Sequence, residues 1–102
     1  MDYIERIEAL GACAPALDWL RSEQYPSLQA AWDACPRSNW MLWLLSTMDH
    51  PAYPTAYDAV RDARAVARDA RAAVANAAYA TAYDAVRAAA VRTVVPVAPV
   101  LP

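Results

Sequence analysis

The side chains in this sequence whose types could carry out catalysis are not grouped in a catalytic pattern. A nucleophile–base pair could use only His50, because the chain contains one histidine. The sequence lacks a glycine-rich phosphate loop, a Cys-x-x-Cys pair and a His-Glu-x-x-His segment, each of which supports a known chemistry. A zinc site would need more ligands than two cysteines and one histidine provide. We therefore predict that the protein is not an enzyme and holds no metal or cofactor.

Arginines show the most distinctive spacing of charged residues. Arg61, Arg64, Arg68 and Arg71 recur at intervals of three and four residues, which places them on one face of a helix. Asp58 can pair with Arg61, but no acidic residue lies three or four positions from the other three arginines. The stripe can face solvent, the acidic first half of the same chain, an acidic protein partner, or phosphates. Because the isoelectric point is near 5.1 and the chain has no lysine, we expect no direct binding of nucleic acid.

Four short helices are predicted before residue 50, since capping residues alternate there with apolar residues at helical spacing. The first lies between Asp2 and Gly11, the second starts at Pro15 and ends before Pro26, and the third is capped by Ser27 and stopped by Pro36. Ser38 or Asn39 is expected to cap the fourth. Its segment 40–45 is apolar nearly all round, so we expect a buried helix at the centre of the core. Cys13 and Cys35 are interpreted as reduced, small core residues.

The second half of the chain is rich in alanine and contains an internal repeat. The heptapeptide Thr-Ala-Tyr-Asp-Ala-Val-Arg occupies residues 55–61 and again 81–87. Each copy begins with a variant of the capping box, so each can start a helix. The pattern allows one helix of about forty residues or two helices broken near Asn76 to Thr81, and we favour two, the first of them long. The apolar stripe expected to pack against the first half comprises Val60, Ala63, Ala67, Ala70, Val74 and Ala77.

The segment 94–102 is apolar and has proline at every third position. In a polyproline II conformation these prolines share one edge, where Pro96 and Pro99 could enter an aromatic groove of a partner. The alternative is an extended arm that lies over the protein's own apolar surface. The arm is also apolar enough to exchange with a neighbouring subunit.

Together these patterns predict an all-α fold, a compact bundle of about four short N-terminal helices packed on one or two long alanine-rich helices. An extended proline-rich C-terminal arm completes it. We expect a single domain over residues 1–102, divided into 1–54, 55–93 and 94–102. The N-terminus is acidic where a signal peptide is positive, and no apolar run approaches the ~20 residues of a membrane span. We therefore expect a cytoplasmic protein that binds no membrane.

Three short motifs occur within residues 8–45. A Leu-x-x-Cys segment ends at Cys13, a Trp-x-x-Cys segment ends at Cys35, and a Trp-Met-Leu-Trp-Leu-Leu run follows at 40–45. With the Ala-Tyr pairs of the alanine-rich half, this combination resembles a family of small immunity proteins of bacteria and phages. The resemblance implies a non-catalytic binder that neutralises a toxin. By analogy with anti-CRISPR proteins, a phage-borne member would instead act on a host defence effector.

The sequence therefore predicts an inhibitor of immunity-protein type that sterically occludes a protein partner, either a toxin or a host defence effector. The candidate partner-binding residues are Arg61, Arg64, Arg68, Arg71, Pro96 and Pro99. The alternative is a self-assembling structural or accessory protein, which the repeat, the alanine stripe and the apolar arm favour. The expected oligomeric state is a monomer or a homodimer.

Overall fold

The computed structural model describes residues 2–70 and 76–102, with side chains given for 2–65 and 83–102. These segments contain helices and no strand. The helices are α1 (Tyr3–Ala9), α2 (Ala14–Glu23), α3 (Leu28–Ala34), α4 (Ser38–Thr47), α5 (Tyr53–Ala70) and α6 (Asn76–Val94). The radius of gyration is 14.1 Å, close to the ~13 Å expected of a compact domain of this length. The predicted all-α class is confirmed.

Side-chain caps start α1 and α3, and a proline in its first turn starts α2. The Asp2 carboxylate accepts a hydrogen bond of 2.9 Å from the backbone N–H of Glu5, and Gly11 follows α1 with a φ of 96°. The Ser27 hydroxyl accepts a bond of 3.2 Å from the Ala30 N–H at the start of α3. Both side chains satisfy amide groups that a helix N-terminus leaves without an internal partner. The predicted bounds of these helices are correct to within one or two residues.

The start of α4 differs from the prediction. Its N-cap is Arg37, whose side chain makes no capping hydrogen bond, and Ser38 is the first helical residue. Ser38 is buried in the protein. Because Ser38 and Asn39 both lie within the helix, neither caps it. The predicted cap is therefore wrong, although the helix itself is where the apolar run places it.

Helix α4 lies at the centre of the main hydrophobic core and contacts both α5 and α6. Its Met41, Leu44 and Leu45 are buried. The buried residues that the long helices and the following residue bring to this core are Ala56, Val60, Ala88, Val91 and Val95. Trp40 and Trp43, on another side of α4, are only half-buried. The prediction of a helix enclosed on every side is wrong for that side.

Helices α5 and α6 pack against each other more extensively than any other described pair. Residues near the start of α5 and near the end of α6 share one core cluster, so the two helices run antiparallel. This packing excludes a single long helix. The predicted break near Asn76 to Thr81 is wrong in position, because those residues belong to α6, and residues 71–75 lie outside the described range. In the predicted apolar stripe, Val60 and Ala63 are buried, and the remaining members lie outside the described side chains.

A second, smaller apolar cluster joins the first three helices. Its buried residues are Ile7 of α1, Leu17 and Leu20 of α2, and Ala31 of α3. Trp19, Trp43 and Leu101 pack against both clusters, so the two clusters are continuous. Within the described segments, no helix has both the length and the apolar character that crossing a membrane requires.

Candidate binding surfaces

One side of α5 packs into the core, and the side next to it faces solvent. The buried positions are Ala56, Val60 and Ala63. Tyr57, Arg61 and Arg64 repeat the same helical spacing one residue further along, and all three are exposed. Half of the Tyr57 surface is accessible, 50%. We call Tyr57, Arg61 and Arg64 the α5 face.

The two arginines of the α5 face differ in their partners. Arg61 forms an ion pair of 3.4 Å with Asp58, but both side chains are more than half exposed, so the pair contributes little to stability. Arg64 forms no ion pair with any residue that the structure describes. Arg68 belongs to α5 but its side chain is outside the described set, and Arg71 lies outside the described residues.

The second copy of the repeat is oriented differently from the first. In α6, Arg87 forms an ion pair with Asp84, and its guanidinium lies 4.1 Å from the ring centre of Tyr83. Only 20% of the Arg87 side chain is exposed. Val86, the counterpart of the buried Val60, is 43% exposed. Among the positions whose side chains are described in both copies, α6 exposes the valine and largely covers the arginine, so an exposed Tyr–Arg pair occurs only on α5.

The C-terminal arm, residues 95–102, folds back onto α3. The Gln29 side chain holds it through two hydrogen bonds, with Nε2 donating to the Pro96 carbonyl at 3.0 Å and Oε1 accepting from the Ala98 N–H at 2.7 Å. The indole N–H of Trp32 donates to the Val95 carbonyl at 2.8 Å in a buried position. The arm therefore lies along the protein's own surface, as one of the two sequence-based alternatives expects.

The two candidate prolines of the arm do not share an environment. Pro96 is exposed, whereas Pro99 is buried against the protein. The predicted common edge of prolines is therefore wrong, because one of them is used in packing. The side chains that the arm directs to solvent are instead those of Val97 and Val100, which are 70% and 88% exposed.

An apolar pocket of about 350 Å³ opens among the first four helices. All four tryptophans of the chain line it, and we call it the tryptophan pocket. Those four are Trp19, Trp32, Trp40 and Trp43. The ring centres of Trp19 and Trp40 are 5.8 Å apart at an angle of 45°, and the guanidinium of Arg37 lies 5.2 Å from the Trp40 ring. Of these four tryptophans, only Trp32 is buried.

The two cysteines also line the tryptophan pocket, and neither forms a disulfide. Cys35 is buried as predicted, but Cys13 is exposed, because it occupies the N-cap position of α2 instead of a core-facing position. Burial raises the pKa of the Cys35 thiol above its ordinary value. This thiol is therefore protonated and uncharged at neutral pH.

His50, the one histidine of the chain, makes a structural hydrogen bond. The Nδ1 atom of His50 accepts a hydrogen bond of 3.1 Å from the Ala52 N–H, which holds the turn before α5. No cluster of three or more His, Cys, Asp or Glu side chains that could hold a metal occurs in residues 2–65 and 83–102.

Comparison with protein-family models, curated proteins and solved structures finds no match to this chain.

Proposed function

We propose that this protein is a non-catalytic inhibitor of immunity-protein type that binds a protein partner through the α5 face and occludes it sterically. The partner would be a toxin or, for a phage-borne gene, a host defence effector, as the motifs of residues 8–45 imply. The observation that carries the proposal is the exposed row of Tyr57, Arg61 and Arg64 on a helix whose neighbouring side is fixed in the core.

The composition of this face supports protein binding. Tyrosine and arginine are enriched among the residues that dominate the energy of protein interfaces. Because Arg64 forms no ion pair with a described residue, its guanidinium is available for a bidentate pair with a partner carboxylate.

The packing of α5 supports the same proposal. Ala56 and Val60 are almost inaccessible to solvent, so the helix presents its exposed face without having to order on binding. We further propose that the four short helices act together as a brace for the α5–α6 pair. The contacts of α4 with both long helices support this role.

The proposal is tested by charge reversal at Arg64. The wild-type chain captures its partner from the native host, and the purified partner is titrated with wild type and with Arg64→Glu. We expect Arg64→Glu to weaken binding at least about tenfold, the loss of one interface hot spot. Arg6→Glu makes the same charge change on the exposed surface of α1 and should bind like wild type. Equal affinities for all three proteins, or the absence of any captured partner, would contradict the proposal.

A self-assembling accessory protein is the second candidate function, and the exposure of Val97 and Val100 favours it. Light scattering of the full chain, with and without the arm, distinguishes the two. A mass that stays that of one chain at all concentrations excludes assembly, whereas arm-dependent growth beyond a dimer supports assembly over the simple inhibitor.

A further inference from the structure

The tryptophan pocket is a concave site that the proposed protein-binding function does not use. Its lining comes from α1–α4 and their connections, away from the α5 face. Three of its aromatic side chains, Trp19, Trp40 and Trp43, remain half-buried in the folded chain. Leaving large aromatic side chains partly in water forgoes favourable burial, and a concave, mostly apolar site with few polar groups is the usual form of a small-molecule pocket.

We propose that the tryptophan pocket binds a neutral, largely apolar small molecule of two or three aromatic rings. The proposal does not depend on the protein-binding function, because the two sites share no residue. The size, charge and aromatic character of the pocket each support it.

The size of the pocket fits a ligand of this class. A volume of about 350 Å³ lies within the range of small-molecule sites, about 300–1,000 Å³. A dry apolar cavity of ~150 Å³ already holds one benzene ring. The tryptophan pocket is more than twice that size and opens to the surface, which is room for two linked or fused rings and for a third at its mouth.

The lining of the pocket selects against charged ligands. None of its side chains is acidic or basic, and the most polar of them is the Asn39 amide. The thiol of Cys35 adds no charge at neutral pH. A charged group placed among these side chains would lose its hydration without gaining an ionic partner from the lining, which is costly, since Arg37 stacks on Trp40 and does not line the pocket. The Asn39 amide can orient a single polar group of the ligand.

The aromatic side chains of the pocket favour ring-shaped ligands. The Trp19 ring meets the Trp40 ring at 5.8 Å and the Tyr25 ring at 5.4 Å, both in tilted contacts. Tilted and offset contacts are those that aromatic rings prefer. A flat ligand can extend this cluster with contacts of the same kind.

The test uses two probes that differ in one charged group, N-phenyl-1-naphthylamine and its sulfonated analogue 1-anilinonaphthalene-8-sulfonate. Both fluoresce strongly only in apolar surroundings. We expect the neutral probe to bind the full-length chain saturably, one molecule per chain, and at least about tenfold more tightly than the sulfonate. Bound probe should also quench tryptophan emission, because all four tryptophans line the pocket.

Two substitutions locate the binding. Cys13→Phe places a ring at the pocket edge, at an exposed N-cap that makes no side-chain hydrogen bond. The matched control is Ala14→Phe, the same addition one residue further on, at an exposed position that does not line the pocket. Ala16→Phe fills the pocket from α2 as a second variant. We expect both pocket variants to weaken the neutral probe at least about tenfold and the control to leave it unchanged.

Each other outcome overturns the proposal. Failure of the neutral probe to bind excludes the pocket as a ligand site. Equal binding of the two probes shows that the site does not select neutral ligands. Equal binding by the pocket variants and Ala14→Phe places the probe on apolar surface elsewhere. Circular dichroism establishes that each variant is folded, and the comparison of the two probes on the unaltered chain needs no variant.

Discussion

Replacing Gln29 by methionine should release the C-terminal arm while the helices stay in place. The two side chains are similar in length, so the packing of α3 is retained and the lost groups are the amide oxygen and nitrogen. Those atoms hold the arm through the Pro96 carbonyl at 3.0 Å and the Ala98 N–H at 2.7 Å. Both partners are more than sixty residues away in the sequence, so the bonds report tertiary structure alone.

The expected loss follows from the burial of the two bonds. A hydrogen bond contributes about 0.5–1.5 kcal/mol net to folding. The Pro96 carbonyl is exposed, so water can replace Gln29 there and the loss lies at the low end of that range. The Ala98 N–H is half-buried and is left without its acceptor, which places its loss at the high end. Gln29→Met should therefore lower the free energy of unfolding by about 1–2 kcal/mol.

Urea unfolding followed by tryptophan fluorescence measures this change, and carboxypeptidase digestion measures release of the arm. A loss of 1–2 kcal/mol corresponds to about 5- to 30-fold faster removal of the last residues. Asp33→Ala is the control on the same helix, because it removes only the bond of 2.8 Å between Asp33 and Gln29. Its cost should be no more than about 0.5 kcal/mol, and the arm should stay protected.

A chain ending at Val95 lacks both arm partners of Gln29, and the substitution should then cost at most about 0.5 kcal/mol, the share of the bond to Asp33. If Gln29→Met destabilises this shortened chain as much as the full chain, Gln29 acts within α3 and the assignment of its role to the arm is refuted. Unchanged carboxypeptidase digestion of the full-length variant would refute it independently.

Two further predictions concern stability. Arg87→Ala should lower the free energy of unfolding by about 1–2 kcal/mol, because this largely buried guanidinium stacks on a tyrosine ring. Arg61→Ala, at the equivalent exposed position, should cost less than about 0.5 kcal/mol. Equal costs in urea unfolding would show that the two copies are equivalent. Burial raises the pKa of Cys35, so the unfolded chain releases this proton at lower pH than the folded chain. Its contribution is complete below the ordinary pKa of 9.0 and is lost as pH rises above it. The free energy of unfolding of Cys35→Ala should therefore fall less steeply with alkaline pH than that of wild type, and identical slopes would contradict this reasoning.

Much of the fold follows from rules that act over three or four residues. The carboxylate of Asp2 and the hydroxyl of Ser27 cap helices where the sequence predicts them, because the amide each one satisfies is three residues away. The prediction fails at Ser38, whose burial depends on the packing of distant helices. The unusual apolar character of α4 is equally visible in the sequence. The sequence does not show which apolar side of α4 stays open to solvent, because that depends on where α5 and α6 pack.

The candidate sites depend even more on distant contacts. Gln29 looks like an ordinary surface residue of a short helix, and nothing within four residues of it marks it as the residue that holds the arm. The tryptophan pocket is similar, because four tryptophans in the first half indicate core as readily as a site. Their concentration between residues 19 and 43 was the available signal, and only the packing of four helices around them distinguishes a filled core from an open pocket.

The internal repeat shows how strongly packing selects what a partner can contact. Identical heptapeptides would suggest two equivalent binding sites, one on each long helix. The structure buries Val60 but exposes Val86, and it exposes Arg61 but largely buries Arg87. A partner that recognises an exposed tyrosine and arginine one turn apart therefore finds that pair on α5 alone. Since the two copies are identical in sequence, the difference in which side chains are exposed arises from the rotation of each helix toward the core. A substitution elsewhere that alters this rotation therefore alters the binding surface without changing any residue in it.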